Sequence, residues 1–131
     1  MKISIITPTF NSQNTIEANI KSVIKQNFEN WEQIIIDNCS TDKTIEIIKN
    51  FNDSRISVFS ENDKGIYDAL NKGIKKSTGD IISILHSDDF FFNNNSLKLV
   101  EKNFRLNNCG IIFGDLIYLK EKNKNKIFRY W

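Results

Sequence analysis

Proline is nearly missing from this sequence. Pro8 is the single one in 131 residues, and there are only five glycines. No proline-rich or glycine-rich linker interrupts the chain, so composition marks no domain boundary. The exit of the first apolar run carries no glycine, which argues against both a GxGxxG dinucleotide turn and a Walker phosphate loop. Two cysteines, Cys39 and Cys109, cannot staple a fold of this size, and one histidine, His86, leaves zinc with too few soft ligands. Both thiols are expected to be reduced packing residues in a cytoplasmic protein. No apolar run approaches the ~18 residues of a membrane span. Met1-Lys2-Ile3-Ser4 passes directly into a strand-like run, so no signal peptide is expected. A net charge of +2 is too balanced for a protein that coats nucleic acid, and no nucleic-acid partner is expected.

What the chain does contain is ordinary for a globular protein. Apolar residues make up 40% and charged residues 26%, which excludes a disordered tail. The length suits one domain over 1–131, burying roughly two thirds of its unfolded surface. Apolar runs alternate with amphipathic stretches. Ile3 to Thr7 reads as a buried strand ended by Pro8. Residues 12–27 carry Ile16, Ile20, Val23 and Ile24 at helical spacing, with Ser12 or Asn11 as cap. Strands are expected at 32–37, 55–59, 81–85 and 110–118, the last interrupted near Gly114-Asp115. Helices are expected at 41–51, 67–76 and 96–106, the first capped by Ser40 or Thr41. This alternation predicts an α/β fold with a mostly parallel central sheet flanked by helices. Such sheets bind ligands beyond the carboxyl ends of their strands, where the strand order reverses. The segments to inspect are therefore Thr7 to Asn11, Asp37 to Asp42, Ser60 to Gly65 and His86 to Asp89.

Each of these segments has a structural explanation beside a chemical one. Thr7-Pro8-Thr9-Phe10-Asn11 is in the simplest case a strand end turned by proline. Ser40, Thr41 and Asp42 suit a helix cap. Asp37, after three isoleucines, is harder to dismiss, because an unpaired carboxylate at a sheet edge is unfavourable; there it can accept a hydrogen bond from a base N–H or a ribose hydroxyl. Asp68 and Lys72 form an i,i+4 pair, whereas Asp63 near the glycine loop is less easily explained by stability. Asp88 and Asp89 repel each other after a buried strand. Either they make a turn and cap, or a divalent cation relieves the repulsion, and hard oxygen ligands suit Mg²⁺ or Mn²⁺. His86 is expected to neighbour the site without ligating.

Four motifs in register are far more specific than any one. Ile5-Ile6-Thr7-Pro8-Thr9-Phe10-Asn11, Asp37-Asn38-Cys39-Ser40-Thr41-Asp42, Asp63-Lys64-Gly65-Ile66-Tyr67-Asp68 and Gly79-Asp80 leading to Ser87-Asp88-Asp89 span nearly the whole chain. In this order they resemble the family 2 glycosyltransferases, in the subgroup that builds bacterial surface polysaccharides. The resemblance implies a Rossmann-like GT-A nucleotide-binding domain. It implies an inverting, metal-dependent transfer from a nucleotide-sugar, a UDP-sugar by preference, to a glycan or lipid-linked acceptor. Carried over residue by residue, Thr7, Pro8, Thr9 and Asn11 would line the uracil and ribose, Asp37 would hydrogen-bond the base, Asn38 would belong to the same nucleotide site, and Asp63, Lys64 and Gly65 would flank the nucleotide. Asp88 would sit near the ribose or a metal-bound water, and Asp89 would bind the Mn²⁺ or Mg²⁺ that bridges the diphosphate.

The pattern departs from the family after Asp89. An inverting transfer needs a base to take the acceptor proton, and the acids that remain are Glu101, Asp115 and Glu121. Glu101 is expected on a solvated helix face. Asp115 resembles the family's Gly-Asp, usually structural or near the acceptor, and is the candidate that remains; the base is otherwise unassigned. The implied chain is a donor-binding half, with the acceptor half missing or incomplete. A different class of reading is a self-associating or partner-binding domain that uses Phe104, Phe113, Phe128, Tyr130 and Trp131 as an apolar patch. A nucleotidyltransferase lacks its glycine-rich loop here, and a receiver domain would carry its acidic pair after the first strand. The basic run Lys120, Lys122, Lys124, Lys126 and Arg129, opposed only by Glu121, is either a solvated hairpin or a peripheral contact with anionic headgroups at the inner membrane face.

Overall fold

The structure, a computed structural model, describes residues 1–107, 109–120 and 123–130. Its elements run β1 (Ile3–Thr9), α1 (Ile16–Ile24), β2 (Trp31–Asp37), α2 (Thr44–Lys49), β3 (Ile56–Ser60), α3 (Ile66–Lys76), β4 (Ile81–Ile84), α4 (Ser96–Asn107), β5 (Ile117–Lys120) and β6 (Asn123–Tyr130). The chain divides into two compact units, Met1–Glu101 and Lys102–Trp131.

In the first unit four parallel strands form one sheet in the order β3-β2-β1-β4. All seven residues of β1 are buried, as the inner strand of a parallel sheet covered on both faces requires. On β2, alternate side chains go to opposite layers. Ile35 packs with Ile16 and Ile20 of α1 and Ile48 of α2, while Ile34 and Ile36 pack with Ala69 of α3. The second layer is close. A Cβ on Gly73 would come within 2.4 Å of the Ile6 side chain, so α3 approaches β1 through a position only glycine fills. At the amino end of the sheet, Glu32 accepts hydrogen bonds from Lys2 Nζ (2.8 Å), Ser4 Oγ (2.6 Å) and the Thr78 amide (2.8 Å), joining β1, β2 and the entry to β4. Burial alone would raise the Glu32 pKa; these bonds outweigh it and bring the value down to about 2.

Four expectations need correction here. Pro8 does not end β1, which continues to Thr9. The ladder to β4 stops at Ile6↔Ile84, so the missing N–H of Pro8 points where β4 has already finished. The first two helices start later than their apolar spacing suggests, whereas α3 and α4 begin within a residue of the expected 67 and 96. Thr15 and Lys43 are their N-cap positions and neither makes a side-chain cap; at α2 the Thr44 amide donates instead to Asp42 (3.0 Å). Cys39 is exposed, with a positive φ of 53°, and is no packing residue. Glu101 is not a free surface acid: it pairs with the amino terminus of Met1 at 3.7 Å.

In the second unit, residues 109–116 form no strand, contrary to the apolar run Ile111-Ile112-Phe113; Ile111 and Phe113 are exposed. Regular structure resumes as the antiparallel pair β5–β6, whose Ile117 lies opposite Tyr130 and Tyr118 opposite Arg129. The sequence pattern did not reveal β6. Of the proposed apolar patch, Phe104 is half-buried and Phe113 exposed. Trp131 lies outside the described residues, as do Glu121 and Lys122 of the basic run and the side chains of Lys120, Lys124, Lys126, Phe128 and Tyr130. Among the described residues no helix is long and apolar enough to cross a membrane.

Candidate functional site

Parallel strands put their carboxyl ends at one edge, and the order β3-β2-β1-β4 reverses direction of winding between β1 and β4. A crevice belongs there. A cleft of about 410 Å³ occupies that place, lined by Pro8, Phe10, Asn11, Ser12, Asn14 and Thr15 from the β1–α1 connection, Ile66 from α3, and His86, Ser87 and Asp88 after β4.

Hydrogen bonds between loops build its walls. Asn11 adopts φ 45°, a left-handed conformation that asparagine tolerates. Its amide N–H donates to Ser40 Oγ (2.8 Å) and its side-chain oxygen accepts from the Thr41 amide (2.9 Å). The Ser12 amide donates to Thr44 Oγ1 (2.8 Å), and the Gln13 amide to Asp42 Oδ2 (3.1 Å). Asp42 also accepts from the Thr44 amide, which is the cap-like role expected of one residue in that segment. The Ser12 and Ser87 hydroxyls meet at 2.8 Å and join the β1 loop to the acidic turn.

That turn is compact. The Asp89 amide donates to the His86 carbonyl at 3.0 Å, so Ser87 and Asp88 are the middle residues of a four-residue turn. Both line the cleft. Asp89 is exposed as a residue, yet partial burial of its carboxyl group pushes its pKa up; the neighbouring Asp88 charge adds to this and His86 opposes it.

A second group of expected residues gathers at the ends of β2 and β3. Asp37 is fully buried, in register with Thr9 and Ser60. Its carboxylate accepts from the Ser40 amide (2.9 Å), the Ser40 hydroxyl and the Ser60 hydroxyl (2.7 Å), which removes the unpaired charge the sequence suggested. Asn38 accepts from the Asp63 amide (2.9 Å), and Asp63 accepts from the Gly65 amide (2.8 Å). The Lys64 amide donates to Asp68, which also pairs with Lys72 at 3.4 Å as its spacing predicts. Gly65 holds φ 106° at the start of α3, a conformation open to glycine.

The structure thus brings Pro8, Asn11 and Asp88 to one cleft and sets Asp37, Asn38, Asp63, Lys64 and Gly65 along the same sheet edge. Thr7 and Thr9 are buried, with the Thr7 hydroxyl turned to Gln33 (3.0 Å). Asp115 lies exposed in the second unit, before β5. Phe10, Ser12, Asn14, Thr15, Ile66, His86 and Ser87 line the cleft without having been singled out as site residues. Phe10, His86 and Ser87 stood inside flagged segments; Ser12 to Thr15 were read as helix, which hid them.

Among the described residues no group of three or more His, Cys, Asp or Glu side chains is gathered for a metal ion. The donor set at the turn is two adjacent carboxylates, hard oxygens whose mutual repulsion favours a cation. This fits Mg²⁺ or Mn²⁺ held by one or two carboxylates together with phosphate oxygens.

Comparison with known proteins bears on the whole arrangement. The model of Glycosyl transferase family 2 matches residues 4–130. An Escherichia coli protein, UDP-Glc:alpha-D-GlcNAc-diphosphoundecaprenol beta-1,3-glucosyltransferase WfgD, is 32% identical over 139 residues, covering 97% of this chain and 55% of its own length. The chain therefore spans about half of that relative. The crystal structure of Staphylococcus aureus TarS 1-349 in complex with UDP-GlcNAc superimposes with a TM-score of 0.72 at 30% identity, over 80% of this chain and 31% of that one. The mannosyltransferase PcManGT of Pyrobaculum calidifontis, in complex with GDP-Man and Mn²⁺, shares the fold with a TM-score of 0.73 at 24% identity, over 79% of this chain and 32% of the other.

Proposed function

The chain belongs to glycosyl transferase family 2, and on that premise we propose that it binds a nucleoside-diphosphate sugar in the cleft between β1 and β4 for transfer to a glycan or lipid-linked acceptor in surface polysaccharide synthesis. UDP is the favoured nucleotide. The observation that carries this reading is the cleft itself: it lies where the strand order reverses and has the acidic turn as one wall.

The roles follow from the walls. Pro8 and Asn11, with the buried Thr7 and Thr9 behind them, form the side that meets base and ribose. Asp37 keeps the β2 exit in shape through Ser40 and Ser60, and is the carboxylate nearest in kind to a base N–H partner. Asn38, Asp63, Lys64 and Gly65 make the flank of the nucleotide pocket. Asp88 would face the ribose or the ion's water, and Asp89 would hold the divalent ion. When bound, that ion offsets the charge that grows on the diphosphate leaving group. Inversion requires a base for the acceptor hydroxyl; Asp115 is the candidate on this chain.

Calorimetric titration with UDP and Mn²⁺ tests the donor site. We expect binding that Asp89→Ala weakens by about tenfold or more. No heat with the wild-type chain, or none lost in the variant, overturns the reading. A second reading, nucleotide binding without turnover, is favoured by one observation: among the described residues Asp88 is the only carboxylate lining the cleft. Release of nucleoside diphosphate from a panel of nucleotide-sugars separates the two, and loss of that release in Asp115→Asn would assign the base.

A further inference from the structure

Asn19 sits in the middle of α1 and is fully buried. An amide is a poor choice there on both counts: asparagine is a weak helix former, and its burial is unfavourable unless its polar atoms find partners. All its side-chain partners lie outside α1. Its Nδ2 donates to the His86 carbonyl (2.8 Å) and to the Asp89 carbonyl (2.9 Å), and its Oδ1 accepts from Gln33 Nε2 (2.8 Å). His86 and Asp89 are the two ends of the acidic turn. One NH₂ group therefore clamps both ends, and the turn's own Asp89-to-His86 bond closes the ring. Gln33, on β2, is also buried and donates to Thr7 Oγ1 (3.0 Å) on β1. A polar chain thus runs inside the protein from β1 through β2 and α1 to the main chain of the turn.

The same helix and its exit fasten the residues beyond the turn. Ser22 Oγ accepts from the Phe91 amide (3.1 Å), and Gln26 bonds the Asn93 carbonyl (2.8 Å) and the Leu97 amide (3.0 Å). Asn19 is the side chain that bonds both end carbonyls of the turn that carries Ser87, Asp88 and Asp89.

We propose that Asn19 is the positioning residue of the acidic turn, setting Asp88 and Asp89 for a cation-bridged diphosphate from beneath the site. The inference rests on the nucleotide-sugar reading and adds to it a residue that touches neither nucleotide nor metal. Partners that hydrogen-bond ligating side chains directly change metal affinity by about 10–100-fold; Asn19 acts one step further back, on the main chain of the turn, so the lower end of that range is expected.

The test uses the full chain and measures UDP affinity by calorimetry with and without Mn²⁺. Wild type should bind UDP more tightly with the ion. Asn19→Ala should lose about tenfold or more of that metal-dependent gain while UDP alone binds as before. Hydrogen exchange at the Asp89 amide should quicken, with the strand amides of β1 and β2 still protected. Because Asn19→Ala leaves Gln33 buried and short of a partner, the double variant Asn19→Leu/Gln33→Leu is a second arm. It removes the buried Asn19–Gln33 amide pair together, so neither amide is left facing an apolar gap alone, and should show the same loss. An unchanged metal-dependent gain in either folded variant overturns the proposal. So does an equal weakening with and without Mn²⁺, which would mark a purely structural residue. Absence of any metal-dependent UDP binding in wild type overturns instead the donor-site reading on which the proposal stands.

Discussion

Partial burial and the adjacent Asp88 carboxylate push the Asp89 pKa upward, against the pull of His86. The ionised form of Asp89 is therefore held less easily by the folded, metal-free chain than by the unfolded one. With the folded pKa above the unfolded one, this unfavourable contribution is complete above the folded pKa and fades as pH falls below the unfolded value. Asp89→Asn should accordingly raise the thermal midpoint of the metal-free chain at pH 7, while removing the metal-dependent part of UDP affinity. Scanning calorimetry reads the first effect; a lowered midpoint would contradict the electrostatic account. At this scale the acidic pair was legible in the sequence, since two carboxylates after a buried strand stand out in any reading. Asn19 was not legible. A polar residue in a helix reads as a solvated position, and only the packing of α1 under the 86–97 segment turns that position inward.

The elements obey two contacts that their own sequences do not announce. Gly73 lets α3 lie against Ile6, where an added Cβ would overlap the Ile6 side chain. Gly73→Ala should destabilise the chain by about 1–3 kcal/mol, the usual range for overpacking a core, read as a lower urea midpoint with an unchanged slope. Glu32 ties the amino ends of the strands. Burial opposes its ionised form, but bonds from Lys2, Ser4 and Thr78 win and hold its pKa at about 2, below the usual 4.5. Its stabilising contribution is thus complete above about 4.5 and is lost as pH falls through about 2. Glu32→Gln should be less stable than wild type at pH 6 by about 0.5–1 kcal/mol, a range that allows for solvent screening. The gap should close as the pH approaches the folded value. Urea midpoints across that window test it; a gap independent of pH would assign the effect to packing alone. Element by element, the helices and strands of the first unit were readable from periodicity. The first residues of α1 and α2 were not: the chain enters them through loops tied to each other, Asn11 to Ser40 and Thr41, the Ser12 amide to Thr44 and the Gln13 amide to Asp42.

At the scale of the whole molecule, ligand and fold are linked. A nucleotide that binds the native chain alone stabilises it by about 2.7 kcal/mol at a hundredfold excess over Kd. UDP with Mn²⁺ should therefore raise the thermal midpoint by roughly 5–15 °C, and CMP or UDP without the ion should raise it less. A midpoint indifferent to both would contradict the proposed site. Strand and helix identities in the first unit, the α/β class and the acidic turn were determined by the sequence, because each is written in local spacing and in short runs of like residues. The order β3-β2-β1-β4, the cleft at its reversal, the shielding of Asp37 by Ser40 and Ser60, and the grip of Asn19 on the turn were decided only in three dimensions. Periodicity tells which face of a segment is buried, but not which partner buries it; the run Ile111-Ile112-Phe113 has the apolar content of a strand and forms none. Pairing, and with it the assembly of a site from distant loops, depends on contacts between residues far apart in the chain.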